Sequence, residues 1–127
     1  MTSLILPFAN EDRTTSIIAS TVRKAGLPSE HMEVTTAKYT AFVRGFAKEM
    51  LDAAFMPVTE IKLEEMHYEH ADIVLNQNQP EFPNGYPIIG VYFNGILVGI
   101  TGLLFDGKSV SAKQAETKTS MFLLRKR

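Results

Sequence analysis

Residues 90–107 read GVYFNGILVGITGLLFDG, with the turn dipeptides Asn94-Gly95 and Asp106-Gly107 bracketing runs of Val, Ile, Leu, Phe and Tyr. A two-residue Asn-Gly connection favours a type I′ turn, because both central positions take positive φ. The hairpin this predicts pairs Phe93 with Ile96, Val91 with Val98 and Ile89 with Ile100 on one face. On the other face it pairs Tyr92 with Leu97, Gly90 with Gly99 and Ile88 with Thr101. Both faces are apolar, so these strands are expected at the centre of a sheet covered on both sides. Gly90, Gly99 and Gly102 weaken such strands unless a helix or ligand approaches closely, or a bulge interrupts the ladder. Close helix packing is the simpler reading, and a ligand is the alternative.

Working outward, Asp106-Gly107 leads into KSVSAKQAETKTSMFLL, a long strand polar at its start and apolar at its end. Upstream, SLILPF reads as a short strand stopped by Pro7. A helix follows, capped by Asn10, with Glu11 and Asp12 in its first turn and Ile17, Ile18, Val22 and Ala25 as its stripe. Gly26 and Pro28 end it. A polar connection over 29–35 precedes a second helix, in which Tyr39, Phe42, Val43, Phe46, Met50 and Ala54 recur at three- and four-residue steps. Thr35 or Thr36 caps this helix and Pro57 closes it; its aromatic stripe reads as core.

Residues 58–75 carry two patterns. VTEIKL suits a strand, while Leu63, Met66, His70 and Val74 suit a helical face, and a helix over most of 60–75 is the favoured expectation. Residues 76–87, NQNQPEFPNGYP, read as an exposed connection. Helices followed by an antiparallel meander give an α+β fold in a single domain over residues 1–127.

The 127 residues are 45% hydrophobic and 21% charged, a globular composition. With no cysteine, disulfides, thiolate metal sites and cysteine nucleophiles are excluded. The N-terminus has no basic region of a signal peptide, and no apolar run reaches the ~20 residues of a membrane span. A cytoplasmic protein with no membrane association is expected. Charge is uneven: residues 106–127 carry six Lys or Arg against Asp106 and Glu116, whereas the first 105 carry seven against twelve acids. A basic end on an acidic body suits an acidic partner, nucleic acid or another copy of the chain. It equally suits a solvated strand edge and a frayed terminus.

PIIGVYFNGILVGITGLLF resembles the central hairpin of GNAT-type N-acetyltransferases, in which a strand, an Asp/Asn-Gly turn and a Val-Gly-bearing strand lie midway along the fold. AETKTSMFLLRKR is similar to the next strand, and Glu116 stands near where many members place an acidic residue. The helical reading of EEMHYEH also suits the family's acceptor-side helices. The resemblance covers residues 60–127 and implies an incomplete GNAT-like sandwich, with Glu116 as the catalytic candidate if the chain is an acyltransferase. That family holds acetyl-CoA through a Gln/Arg-x-x-Gly-x-Gly/Ala loop opening a helix, where backbone N–H groups bind the pyrophosphate. The motif does not occur, and Arg127 falls where it would begin. No cofactor is therefore expected, and the reading leans away from an enzyme.

Other chemistry is sparse. His67 and His70 would stand on neighbouring turns of the expected helix, with Glu64 one step before, and are the metal candidates. They do not form the H-E-x-x-H pattern. No Walker loop, dinucleotide fingerprint or nucleophile elbow is present. The basic end lacks interleaved aromatics, which supports only backbone attraction to nucleic acid. Met121, Phe122 and Leu124 are too apolar to stand exposed beside Arg125, Lys126 and Arg127. These six residues are the expected interaction surface, covered by self-association or a protein partner. The expected function is that of a non-enzymatic interaction or assembly component, with phage or mobile-element origin and a virion location fitting that class. The alternatives are the N-terminal part of an acyl-CoA-dependent N-acyltransferase, and an antagonist that binds a host protein or nucleic acid through the basic end.

Overall fold

The computed structural model describes residues 11–68, 82, 86–105, 109–117 and 119–120. Helix α1 (Glu11–Lys24) and helix α2 (Met32–Ala53), linked through a 3-10 turn at Ser29–His31, precede four strands. These are β1 (Ile61–Tyr68), β2 (Tyr86–Phe93), β3 (Ile96–Phe105) and β4 (Val110–Glu116). They run antiparallel in the order β1-β2-β3-β4, which makes an α+β fold. The expected strand SLILPF, the Asn10 cap and the Asp106-Gly107 turn lie outside the described residues. Among the described residues, no helix is long and apolar enough to cross a membrane.

In α1, Ile18 and Val22 are fully buried, and the helix stops where Gly26 turns to φ +79. A left-handed glycine ends a helix without a side-chain penalty. Helix α2 starts earlier than its sequence suggests. The 3-10 turn supplies the first hydrogen bonds, so Met32 is already helical and His31 stands at the N-cap without a side-chain bond. Thr36, expected as a cap, instead donates from Oγ1 to the Met32 carbonyl, 2.7 Å away. Tyr39, Val43, Phe46, Ala47 and Met50 form the buried stripe.

The expected helix over 60–75 is corrected by β1, and residues 69–75 lie outside the described set. Burial follows a period of two: Ile61 and Leu63 are buried while Lys62 and Glu64 are exposed. The decisive force is non-local. Every residue from Ile61 to Tyr68 finds a partner on β2, which satisfies backbone groups that a helix would otherwise satisfy internally.

At the β2–β3 turn, Asn94 takes φ 52 and Gly95 φ 82, as a type I′ turn requires. Phe93 pairs with Ile96 and Tyr92 with Leu97. Beyond them the expected register fails, because Val98 is an extra residue in a β-bulge. Val91 now faces Gly99, Gly90 faces Ile100, Ile89 faces Thr101 and Ile88 faces Gly102. Gly90 and Gly99 are therefore not opposite each other.

The sheet has apolar clusters on both faces, as expected. The helices pack on one face, against Ile61, Leu63, Ile89, Val91, Phe93, Val98 and Leu103. The other face gathers Ile88, Ile100 and Ala115 with Phe82. Close packing accounts for the glycines. A Cβ on Gly99 would stand 2.5 Å from Cζ of Phe46 on α2, and one on Gly102 would stand 2.5 Å from Cε1 of Phe82. Each ring lies where a side chain would otherwise be.

Candidate functional site

From His31 to Phe42, one side of the chain runs from exposed residues down to the buried stripe of α2. His31, Val34, Thr35, Lys38, Tyr39 and Phe42 follow the three- and four-residue helical step and form one wall of a groove. The opposite wall and floor come from Leu27 before the 3-10 turn, Leu103 and Phe105 at the end of β3, and Val110 and Ala112 at the start of β4. The groove encloses about 610 Å³, within the range of ligand-sized clefts. Tyr39, one of the lining residues, shares through its hydroxyl a buried hydrogen bond of 2.8 Å with Thr101 Oγ1. Burial pushes the Tyr39 pKa far above the ordinary tyrosine range, the Thr101 bond opposing it only partly, so Tyr39 stays a neutral phenol. Val34 at the rim is 56% exposed, the most exposed large hydrophobic side chain among the described residues.

The polar groups of this wall are few. His31 and Lys38 are its ionisable solvent-exposed side chains, and no carboxylate lines the groove among the described residues. Glu33 faces the other side of α2, where it lines an outer furrow with Thr15 and Arg23 of α1.

A second polar cluster ties α1 to β1. Glu65 receives hydrogen bonds from Ser20 Oγ at 3.2 Å, Thr21 Oγ1 at 3.0 Å and Lys24 Nζ at 3.0 Å. Burial raises its pKa, but the bonds from Lys24, Thr21 and Ser20 and the Lys24 charge outweigh burial, leaving it below the ordinary value. Three side chains of α1 thus hold one carboxylate of β1, which ties the helix to the sheet. A depressed folded-state pKa contributes stability in full above the unfolded glutamate value, about 4.3. That contribution is lost as pH falls through the lower folded value. Glu65→Gln should lower stability at pH 7 and flatten the loss of stability as pH falls below about 5. Urea denaturation at a series of pH values checks this; parallel curves for the two proteins would show that Glu65 contributes nothing through its charge.

Comparison with protein-family models, curated proteins and solved structures returns no match. The site must be read from its own chemistry.

Of the site residues that the sequence singled out, His67 and Glu116 are among the described residues. His67 lies on β1 opposite Pro87, not on a helix, and His70 is outside the described residues. The premise that one helical face unites them therefore fails for His67. Among the described residues, no group of three or more His, Cys, Asp or Glu is placed to hold a metal. Glu116 ends β4 opposite Gly99, on the helix-covered side of the sheet and away from the groove lining. Met121, Phe122, Leu124, Arg125, Lys126 and Arg127 lie outside the described residues. Just before them, Thr117 Oγ1 donates to the Leu97 carbonyl and accepts from Ser120 N at 3.1 Å, which fastens the end of β4 to β3.

In the sequence Thr35 reads as a cap, and Tyr39 and Phe42 as core, so neither reading marks a groove wall. The available signal was the step from His31 through Val34, Thr35 and Lys38 to Phe42. That step becomes a wall only when the β3–β4 end stands opposite it, a relation that no local pattern encodes.

Proposed function

We propose that this chain is a protein-interaction or assembly component that binds a partner segment in the groove between α2 and the β3–β4 end. The observation that carries the reading is the groove itself. It has an apolar floor, an exposed Val34 at its rim and a polar edge of His31, Thr35 and Lys38. Apolar floor with polar rim is the arrangement of a recognition site.

Placing a photoactivatable phenylalanine analogue at Val34, and separately at the exposed Glu49 farther along α2, tests this in the cells that make the protein. A discrete protein adduct from position 34 and none from position 49 is the expected result. Equal labelling from both positions, or none from either, overturns the reading.

A second reading, the N-terminal part of an acyl-CoA-dependent N-acyltransferase on a GNAT-like fold, draws support from the order of elements. Two helices precede an antiparallel meander whose middle turn is Asn94-Gly95. The pyrophosphate-loop motif of that family does not occur within residues 1–127, so these residues by themselves are not expected to hold acetyl-CoA in the family's way. Calorimetry of the 127-residue chain with millimolar acetyl-CoA is expected to show no saturable heat; micromolar affinity would make this second reading the better one.

A further inference from the structure

The chemistry of the wall narrows what the groove accepts. Thr36 and Thr40 each return their hydroxyl to the carbonyl four residues earlier, at 2.7 and 2.8 Å. Thr35, on the groove side, makes no such bond. Neither Thr35, Lys38 nor His31 has a side-chain hydrogen bond or ion pair among the described residues, whereas Lys24 and Lys48 are each paired with a carboxylate. Thr35 and Lys38 are three residues apart on α2, so their side chains are neighbours on one face. Two donors, one of them a full positive charge, thus stand unpaired beside an apolar floor from which described carboxylates are missing. That electrostatic pattern complements one kind of occupant.

Resting on the reading of the groove as a partner-binding site, we infer that the bound segment is a peptide carrying a carboxylate next to bulky apolar side chains. The carboxylate sits against Lys38 and Thr35, with His31 at the rim. The apolar side chains lie over Leu27, Phe42, Leu103 and Phe105. Ammonium–carboxylate bonding with a supporting hydroxyl gives orientation and selectivity, and the apolar floor gives area. A cavity of about 610 Å³ has room for a few side chains rather than a whole folded surface.

The test uses three blocked tetrapeptides that differ only at the second position: acetyl-Leu-Glu-Phe-Leu-amide, its glutamine isostere and its lysine analogue. Binding to the full isotope-labelled chain is followed through backbone amide shifts. The glutamate peptide is expected to shift amides of α2 between positions 31 and 42 and of β3 and β4 near the groove. It should bind about five-fold or more tightly than the glutamine peptide, and the lysine peptide should bind weakest. In Lys38→Glu the order should invert, with the lysine peptide tightest, while thermal unfolding stays near that of the parent because Lys38 is exposed. Equal affinity for all three peptides at the groove, or an order unchanged in Lys38→Glu, overturns the carboxylate inference and leaves the groove as a binding site. If no peptide perturbs the groove at millimolar concentration, the inference also falls. The adduct from position 34 then decides separately whether a protein binds there at all.

Discussion

Phe46→Ala should destabilise the domain by about 3–5 kcal/mol, as deletion of a buried aromatic ring does elsewhere. Phe46 is 2% exposed, and its ring occupies the space that a side chain on Gly99 would need. Removing it takes away both the ring's burial and the lid over a bare stretch of β3 backbone. Total stabilities of about 5–15 kcal/mol leave little margin after such a loss. The pairing also predicts a sign. Gly99→Ala alone should cost about 1–3 kcal/mol, because the new methyl meets the Phe46 ring. In the Phe46→Ala background the same methyl enters vacated space, so the double variant should be more stable than the sum of the single losses indicates. Urea unfolding of all four proteins measures this coupling. If Phe46→Ala unfolded within a few tenths of a kcal/mol of the parent, Phe46 would belong to a surface and not to the core.

Asn94→Ala should cost about 2–3 kcal/mol, a large effect for an exposed turn residue, most of it from backbone strain and lost hydrogen bonds. The Asn94 Oδ1 atom accepts from Thr59 N at 2.9 Å, Thr59 Oγ1 at 3.1 Å and Glu60 N at 3.0 Å. Its Nδ2 donates to the Pro57 carbonyl at 2.9 Å, and its backbone N–H donates to the Glu60 carbonyl at 2.9 Å. One side chain thus joins the β2–β3 turn to the segment that feeds β1. Alanine loses the side-chain bonds and also holds φ near +52, which costs a residue with a Cβ roughly 1–2 kcal/mol. Glycine relieves the strain but not the lost bonds, so Asn94→Gly should fall between alanine and the parent. Asn94→Asp keeps the acceptor and loses the donor to Pro57, and should be the mildest of the three. An order in which glycine equals the parent would show that the turn conformation alone matters.

These two residues also show how far the sequence could be read. Phe46 is legible because its neighbours Tyr39, Val43 and Met50 share a helical period, and a long amphipathic helix is a local signal. The Asn94-Gly95 turn is legible because few residues tolerate positive φ. What Asn94 does with its carboxamide is not legible, since Pro57, Thr59 and Glu60 are more than thirty residues away in the chain. The same limit explains β1. Leu63 and Met66 fit a helical step as well as a strand, and only pairing with β2 decides between them. It explains the groove too, where Lys38 gains meaning only from Phe105 and Val110 across the gap.

The bulge at Val98 has a consequence for how this sequence can vary over time. Along an uninterrupted strand, odd and even positions serve opposite layers, and Val98 resets that parity for the rest of β3. Because of it, Thr101 meets Tyr39 on the helix side, while Gly102 meets Phe82 on the other. Were β3 to pair through without the bulge at its present length, Thr101 and Leu103 would leave the helices, and Ile100, Gly102 and Leu104 would take their places. Losing Val98 itself would instead close the bulge and leave both sets on their own faces. A residue lost or gained between Gly99 and Leu104 would turn over every position beyond it. Descendants of this chain therefore have one place in this part of β3 where its length can change without asking two separate interiors to be rewritten at once, and that place is the bulge.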